Sequence, residues 1–496
     1  MGELVPTCCL EVLPGDKFEI SVENMLRMMP MISPVMHKVD VTTHYFFVPT
    51  RLLWKEFLEW ITEHDSDAQA PYVNLSALTA HPEPGSIGDY LGYPAGEFTS
   101  IPVKASPMPI AAYTLIWDEY YRDQNLQEKR FTALVPGDNG TAYNDIINGA
   151  PYRRAWEHDY FTSALPFAQK GDSVQLPLTF ADDQVVEHRW LTNTPGIIRR
   201  SDGGDPEVGD VTSNAGPVPY VSTMRVDGDG ATYDPNGTLV VDVQSDAVDI
   251  NTVRRAFRLQ EWMERNARAG TRAVEFIKSH FGVTSSDARL QRPEYIGGAK
   301  QKMVISEVLA TAETTDANVP VGQMAGHGIS VGGGKKCYYS AEEYGYIIGI
   351  INVQPQTAYQ QGLHRSLTRF TPLDYAFPTF ANIGEQEVLN KEVMAIKGPA
   401  GGNPPDPDGI FGYVPRYAEY KFLNSRVAGE LRTSLAFWHL GRIFEDAPAL
   451  NELFIESNPD TRIFAVTDPE EDHIVAHVFN NIHAVRKLPK YGTPTI

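Results

Sequence analysis

The chain has 496 residues, with 42 Lys+Arg against 63 Asp+Glu, so its net charge is −21. Hydrophobic residues make up 42% and charged residues 21%, which excludes a wholly disordered chain. The acidic total argues against a free-standing DNA binder, because phosphate contacts need Lys and Arg.

No run approaches the ~20 apolar residues of a membrane span. The start, MGELVPTCCLEVLPGDKF, has no basic region ahead of an apolar one, so it does not read as a secretory signal. Cys8, Cys9 and Cys337 have neither disulfide arithmetic nor metal-ligand spacing and read as reduced thiols. Residues 38–48 (KVDVTTHYFFV) are β-branched and aromatic and close at Pro49, which predicts a strand. Val39, Val41, Thr43, Tyr45 and Phe47 share one face, while Phe46 and Val48 make the other apolar too. That pattern suits a strand covered on both sides, in a sandwich or at a subunit contact.

Residues 51–62 (RLLWKEFLEWIT) change to helical spacing. Residues 113–127 form a second short helix candidate, and 251–281 the strongest helical stretch, broken or bent at Gly270. Strand-like runs return at Val304–Ala310, Tyr344–Val353, Arg462–Val466 and Asp472–Val485. Between them lie Gly/Pro/Asn/Asp loops such as 398–409 (GPAGGNPPDPDG), and no repeat is visible. Strands far apart in sequence with long insertions predict a β-sandwich of Greek-key or jelly-roll type.

Charge is uneven along the chain. Residues 201–250 hold ten acids and one base, and read as a solvated insertion. Residues 251–300 hold ten bases and five acids, and Arg486, Lys487 and Lys490 end the chain without an acidic side chain nearby. Those basic blocks read as surfaces that meet another subunit or a polyanion.

The sequence offers no reaction. GGGKK at 332–336 lacks the first Gly and the Ser/Thr of a phosphate loop, so it reads as a flexible loop. Asp227, Asp229 and Asp234 resemble part of a calcium loop but lack its closing Glu, which leaves exposed turn chemistry and a weak Ca²⁺ candidate. Glu157-His158-Asp159 and Glu187-His188 put acids beside imidazoles, but neighbours on a strand point apart. His473 and His477 share a strand face without a third ligand in view, and read as core or interface histidines. No catalytic, cofactor-binding or metal set emerges, and no cofactor is expected. Aromatics are abundant in loops, with 22 Phe, 23 Tyr and 7 Trp. The densest group, Phe411, Tyr413, Arg416, Tyr417 and Tyr420, is the hot-spot composition of protein interfaces.

Six stretches, in order along the chain, resemble the major capsid proteins of microviruses, the F-protein family of small icosahedral single-stranded DNA phages. They are THYFFVPTRLLW (43–54), HDYFTSALPFAQKG (158–171), KSHFGVTSSDARLQRPEYIGG (278–298), AYQQGL (358–363), GEQEVLNKE (384–392) and FGYVPRYAEYK (411–421). The gokushovirus branch is the most similar. The resemblance implies a structural protein and no enzyme: an eight-stranded viral jelly roll, mainly β, with long loops and a few short helices. It would be a single capsid domain, 1–496, carrying an outward insertion at about 174–250.

Its subunits would assemble a T=1 icosahedral shell around a circular single-stranded DNA genome, as part of a virion built in the bacterial cytoplasm. The partners implied are other copies of the chain, the genome, a small basic DNA-packaging protein, a pilot protein and a host surface receptor, with no membrane insertion. The rival classes are a host-binding spike and a carbohydrate-active β-sandwich enzyme. Family members carry a leader before the segment matching LVPTCCLEVLPGD, so a short leader or an incomplete reading frame is expected here. The bottom-up expectations are that the 411–420 group anchors a subunit interface and that Arg486, Lys487 and Lys490 lie near the genome or its basic partner.

Overall fold

The computed structural model describes residues 1–62, 69–77, 82–98, 101, 103–172, 174, 188–190, 199–200, 231–232, 239–241, 250–269, 272–284, 291–309, 324–466, 468 and 471–488. In chain order its main strands are β1 (Val5–Val12), β2 (Lys17–Met28), β3 (Val39–Pro49), β4 (Glu294–Lys302), β5 (Val304–Leu309) and β6 (Met324–Gly333). There follow β7 (Cys337–Ser340), β8 (Gly345–Pro355), β9 (Glu385–Leu389), β10 (Ile410–Pro415) and β11 (Ile474–Val485). The principal helices are α1 (Ile87–Leu91), α2 (Met108–Ile116), α3 (Gly140–Asn148), α4 (Ile250–Ala269) and α5 (Ala273–Phe281).

Two antiparallel sheets share a core. The first has the order β1-β8-β3-β4. In the second, β2 pairs along its whole length with β11. Its other edge takes β6 at Glu23–Arg27 and β7 at Lys17–Ile20, and β5 continues the sheet beyond β6. Because side chains alternate along a strand, β2 buries Phe18, Ile20, Val22, Asn24, Leu26 and Met28 and leaves the residues between them exposed or, near its start, half buried. The apolar ones pack against Val39, Val41, Tyr45 and Phe47 of β3 and Ile347, Ile351 and Val353 of β8. Polar side chains tie the layers too. The Tyr45 hydroxyl donates to Asn480 Oδ1 at 2.5 Å, and Asn480 Nδ2 donates to the Thr7 carbonyl at 2.9 Å.

The predicted strand at 38–48 forms as β3 and is covered on both faces. Its second face is closed by the subunit's own helices, with Phe46 and Val48 in one cluster with Leu53, Trp54, Ile110, Tyr113 and Trp117. Tyr113 fastens this layer, donating to the Leu4 carbonyl at 2.8 Å and accepting from the Tyr152 N–H at 3.0 Å.

Other expectations need correction. Residues 51–62 make two helical turns, Thr50–Leu53 and Phe57–Ile61, separated at Trp54, whose backbone is extended. The helix expected at 113–127 starts earlier, at Met108, and ends through a π-turn at Tyr121. Residues 462–466 form no strand: Phe464 makes one bridge to Met31 and is fully buried in the core. GGGKK is no flexible loop: Gly332 and Gly333 end β6, and residues 334–336 make the tight connection to β7, with the Gly334 N–H donating to Val22 O at 2.8 Å and Lys336 paired with Glu19. Helix is also more extensive than a few short pieces, since α4 alone has 20 residues.

The 251–281 stretch divides into α4 and α5 around the position of Gly270, which is outside the described residues. Residues 171–263 separate from the rest of the chain as a second compact unit. Most of 174–250 lies outside the described residues, including Asp227, Asp229 and Asp234. No helix among the described residues is long and apolar enough to cross a membrane.

His44, midway along β3, supplies a pH test. Burial, with a smaller push from Arg154, lowers its pKa to about 4. The ordinary value is about 6.5, so the unfolded chain binds this proton more tightly than the native one. The neutral ring therefore contributes stability above pH ~6.5 that is lost as pH falls toward 4. Relative to the parent, His44→Gln should gain about 1.4 kcal/mol for each pH unit across that window, read by denaturant unfolding. A constant difference between the two would refute the assignment.

Candidate subunit interface

Among the described residues, one loop carries a dense run of exposed apolar side chains. Residues 370–379 are exposed without interruption. Phe370 is 86% exposed, with Leu367, Leu373, Tyr375, Phe377 and Ile383 also open to solvent. Leu423, at 88%, stands beside exposed Tyr420 and Phe422 in a second segment. Soluble monomers rarely present so much apolar surface without a partner.

The backbone beneath is well organised. Three 3₁₀ turns, Arg365–Leu367, Pro372–Asp374 and Pro378–Phe380, form the loop, two of them with Pro at the first turn. Asp374 accepts from the Phe370 and Thr371 N–H groups at 2.8 and 2.7 Å, and those bonds lower its pKa. The His364 ring nitrogen accepts from Ser366 N–H at 3.2 Å. Short local bonds thus set the turns while the large side chains point away.

Two buried ion pairs hold this loop to the body. Arg365 Nη1 donates to Glu392 Oε1 at 3.1 Å, and Arg369 Nη2 to Glu419 Oε1 at 3.1 Å. The two carboxylates are only 3% and 4% exposed. Glu392 also accepts from the Tyr160 hydroxyl at 2.9 Å and the Leu389 N–H at 3.0 Å. Glu419 accepts from Gln386 Nε2 at 2.7 Å. Burial raises the Glu392 pKa. A cavity of about 310 Å³ adjoins them, lined in part by Tyr160, Tyr359, Leu363, Ile396 and Phe422. Two neighbouring carboxylates beside a cavity invite a hydrolase reading. Each oxygen is already occupied by a protein donor, so the pair fastens the loop instead of facing a substrate.

The five residues singled out from the sequence divide by burial. Phe411 is inside the subunit's own core, edge-on to Phe454 at 4.9 Å. Tyr413 is half buried, with its backbone paired to Leu165 on one side and Glu387 on the other. Tyr417 is buried in left-handed backbone, φ 61°, uncommon for a residue other than Gly. Its N–H donates to Gln386 Oε1 at 2.9 Å, and its hydroxyl accepts from the Phe377 N–H at 3.2 Å. Arg416 lies 5.1 Å from the Tyr417 ring centroid. Tyr420 alone is well exposed, and Arg369 stacks over it at 4.5 Å. Tyr417 and Arg369 therefore position the exposed loop, and the open surface lies mainly at 363–383 and 420–423. The signal was in TPLDYAFPTF (371–380), where prolines start turns and put the aromatics between them.

The terminal basic residues also divide. Arg486 pairs with Asp16 at 3.0 Å, and Asp16 is only 2% exposed, so this charge neutralises a buried carboxylate at the β1–β2 turn. Lys487 is exposed, and Lys490 lies outside the described residues. His473 sits against the Phe464 ring at 4.5 Å with a ring nitrogen 3.0 Å from Val466 O, while His477 and His483 are exposed. Among the described residues, no three metal-ligating side chains converge. Burial raises the Cys8 and Cys9 pKa values to about 11 and about 12, which keeps both thiols protonated.

Residues 1–496 match the family described as "Capsid protein (F protein)". The chain is 36% identical over 513 residues to "Capsid protein VP1" of Bdellovibrio phage phiMH2K, covering 99% of this chain and 92% of that protein. It is 34% identical over 562 residues to "Capsid protein VP1" of Chlamydia phage 1, covering 100% and 93%. Against "Capsid protein VP1" of Spiroplasma virus 4 it is 30% identical over 523 residues, covering 100% and 92%.

Removing one partner of a buried ion pair strands the other charge. Glu419→Ala should cost about 3–5 kcal/mol and speed hydrogen exchange selectively across 365–383. Uniform exchange across the chain would show that these ion pairs do not hold the loop.

Proposed function

The chain belongs to the capsid protein (F protein) family, and from that premise we propose that its copies close a T=1 icosahedral shell around a circular single-stranded DNA genome. It is a structural component of the virion and not an enzyme. The observation that carries the assembly reading is the pre-formed apolar loop at 363–383, with Phe370 86% exposed on a backbone held by two buried ion pairs. Pre-organisation lowers the ordering cost of association, and exposed aromatic and Leu side chains supply the area that identical neighbours bury. A closed shell asks each subunit for several such contacts around different axes.

The fold supports a viral jelly roll at the finer level. The chain goes from sheet to sheet as β1, β2 and β3 follow one another, and again between β7, β8 and β11, which is how jelly rolls close their edges. Residues 174–250, acidic and turn-rich, are the proposed host-facing insertion. With −21 per subunit, the shell would need a small basic packaging protein to offset the genome's charge, and a pilot protein and a host receptor complete the proposed partners.

Two experiments test these readings. Phe370→Asp with Leu423→Asp should leave a folded, soluble subunit and abolish particles in electron micrographs of purified protein. Normal particle yield would reject the interface. Deleting 201–250 should leave shells intact and reduce adsorption to host cells; loss of shells would make that segment structural.

A further inference from the structure

A second feature lies away from the loop, where β3 meets its edge neighbour β4. A cleft of about 590 Å³ opens there, within the roughly 300–1,000 Å³ range of small-ligand sites. Its walls are rings: His44, Phe46, Tyr120, Tyr121, Trp156 and Tyr295. All but Trp156 form a connected set, with Phe46 to Tyr120 at 4.7 Å, Phe46 to Tyr295 at 5.4 Å, His44 to Tyr295 at 5.7 Å and His44 to Tyr121 at 6.0 Å. Two are locked by hydrogen bonds. The Tyr120 hydroxyl donates to Pro293 O at 2.6 Å, and the Tyr121 hydroxyl is 2.7 Å from His44 Nδ1. Tyr295 stands 51% exposed at the mouth.

The charges lining the cleft have one sign to spare. Glu157 is bound by Lys300 at 2.7 Å. Arg154 has no carboxylate within ion-pair distance among the described residues; Thr42 Oγ1, 3.3 Å from Nη1, orients it. His158, beside it, is exposed. Pre-positioned ring faces with an unneutralised guanidinium are what single-stranded nucleic acids recognise, since every base has a π-face and every link an anionic phosphate. An aromatic side chain from a second copy would use the rings and leave Arg154 uncompensated.

We propose that this cleft holds one nucleotide of a DNA single strand, its base against the Tyr295 side of the ring cluster and its phosphate on Arg154. The inference deepens the shell reading, on which it rests for the presence of single-stranded DNA, by giving the inner partner a site on the chain.

The test is an anisotropy titration of the purified full-length protein with a labelled oligothymidylate of about six nucleotides and with an abasic strand of equal length. Tyr295→Ala should weaken the normal strand on the order of tenfold and leave the abasic strand unchanged. Arg154→Gln should lower the salt slope of both by about 0.7, the loss of one phosphate contact. Unchanged affinity and slope in both variants would overturn the proposal. So would equal losses on the two strands for Tyr295→Ala, or no binding by the parent. Electron density for a neighbour's side chain in the cleft of filled particles would assign it to a protein contact and overturn it likewise. Particle formation by the parent is scored separately: if it fails, the shell reading falls, while the titration still judges the cleft.

Discussion

β3 is apolar on both faces and has to be covered on both, and the rest of the architecture follows from that demand. Its odd-numbered side chains, Val39 through Phe47, fill the space between the two sheets, while Phe46 and Val48 draw the helical layer around Tyr113 and Trp117 onto the outer side. Fully burying a Phe-sized side chain contributes about 1.5–3 kcal/mol, so several on one strand outweigh the local preferences of the segments that cover it. The aromatic cleft is a by-product of the same strand. Where β4 ends the sheet, rings that elsewhere would be sealed by a further strand are left open beside Arg154.

Buried charge, in contrast, does little for net stability and much for placement. Asp16 with Arg486, Glu392 with Arg365, and Glu419 with Arg369 each fasten a surface segment to the body through a carboxylate that is almost wholly covered. The desolvation of such pairs offsets much of their attraction. Their geometric consequence is clear nonetheless: an apolar loop that would otherwise collapse onto the core is held open with its large side chains outward. A protein whose purpose is to meet copies of itself has use for such a loop; an isolated enzyme does not.

The periodic signals in the sequence translated well where one layer decided the outcome. β3, β5, β8 and β11 form where alternation and β-branching predicted strands, and the 251–281 stretch is helical on both sides of Gly270. β2 and β6 were not anticipated: Asn24 and Glu23 interrupt the apolar run of one, and four glycines dilute the other. The 411–420 cluster shows a different limit. Its aromatic density was visible, but Phe411 and Tyr417 face inward because β10 pairs with β9 and Gln386 captures the Tyr417 backbone.

What the amino-acid order determined by itself was the set of apolar faces, the turns begun by Pro and Gly, the family to which six ordered stretches belong, and the lack of a recognisable catalytic set. These are local properties, readable from neighbours within a few positions. Which aromatic rings remain outside, which arginines are tied to buried acids and which, like Arg154, are not were decided by contacts between residues far apart, such as Arg154 with Thr42 and Arg486 with Asp16. No periodicity encodes those pairings, because burial depends on what the whole chain brings to the other side.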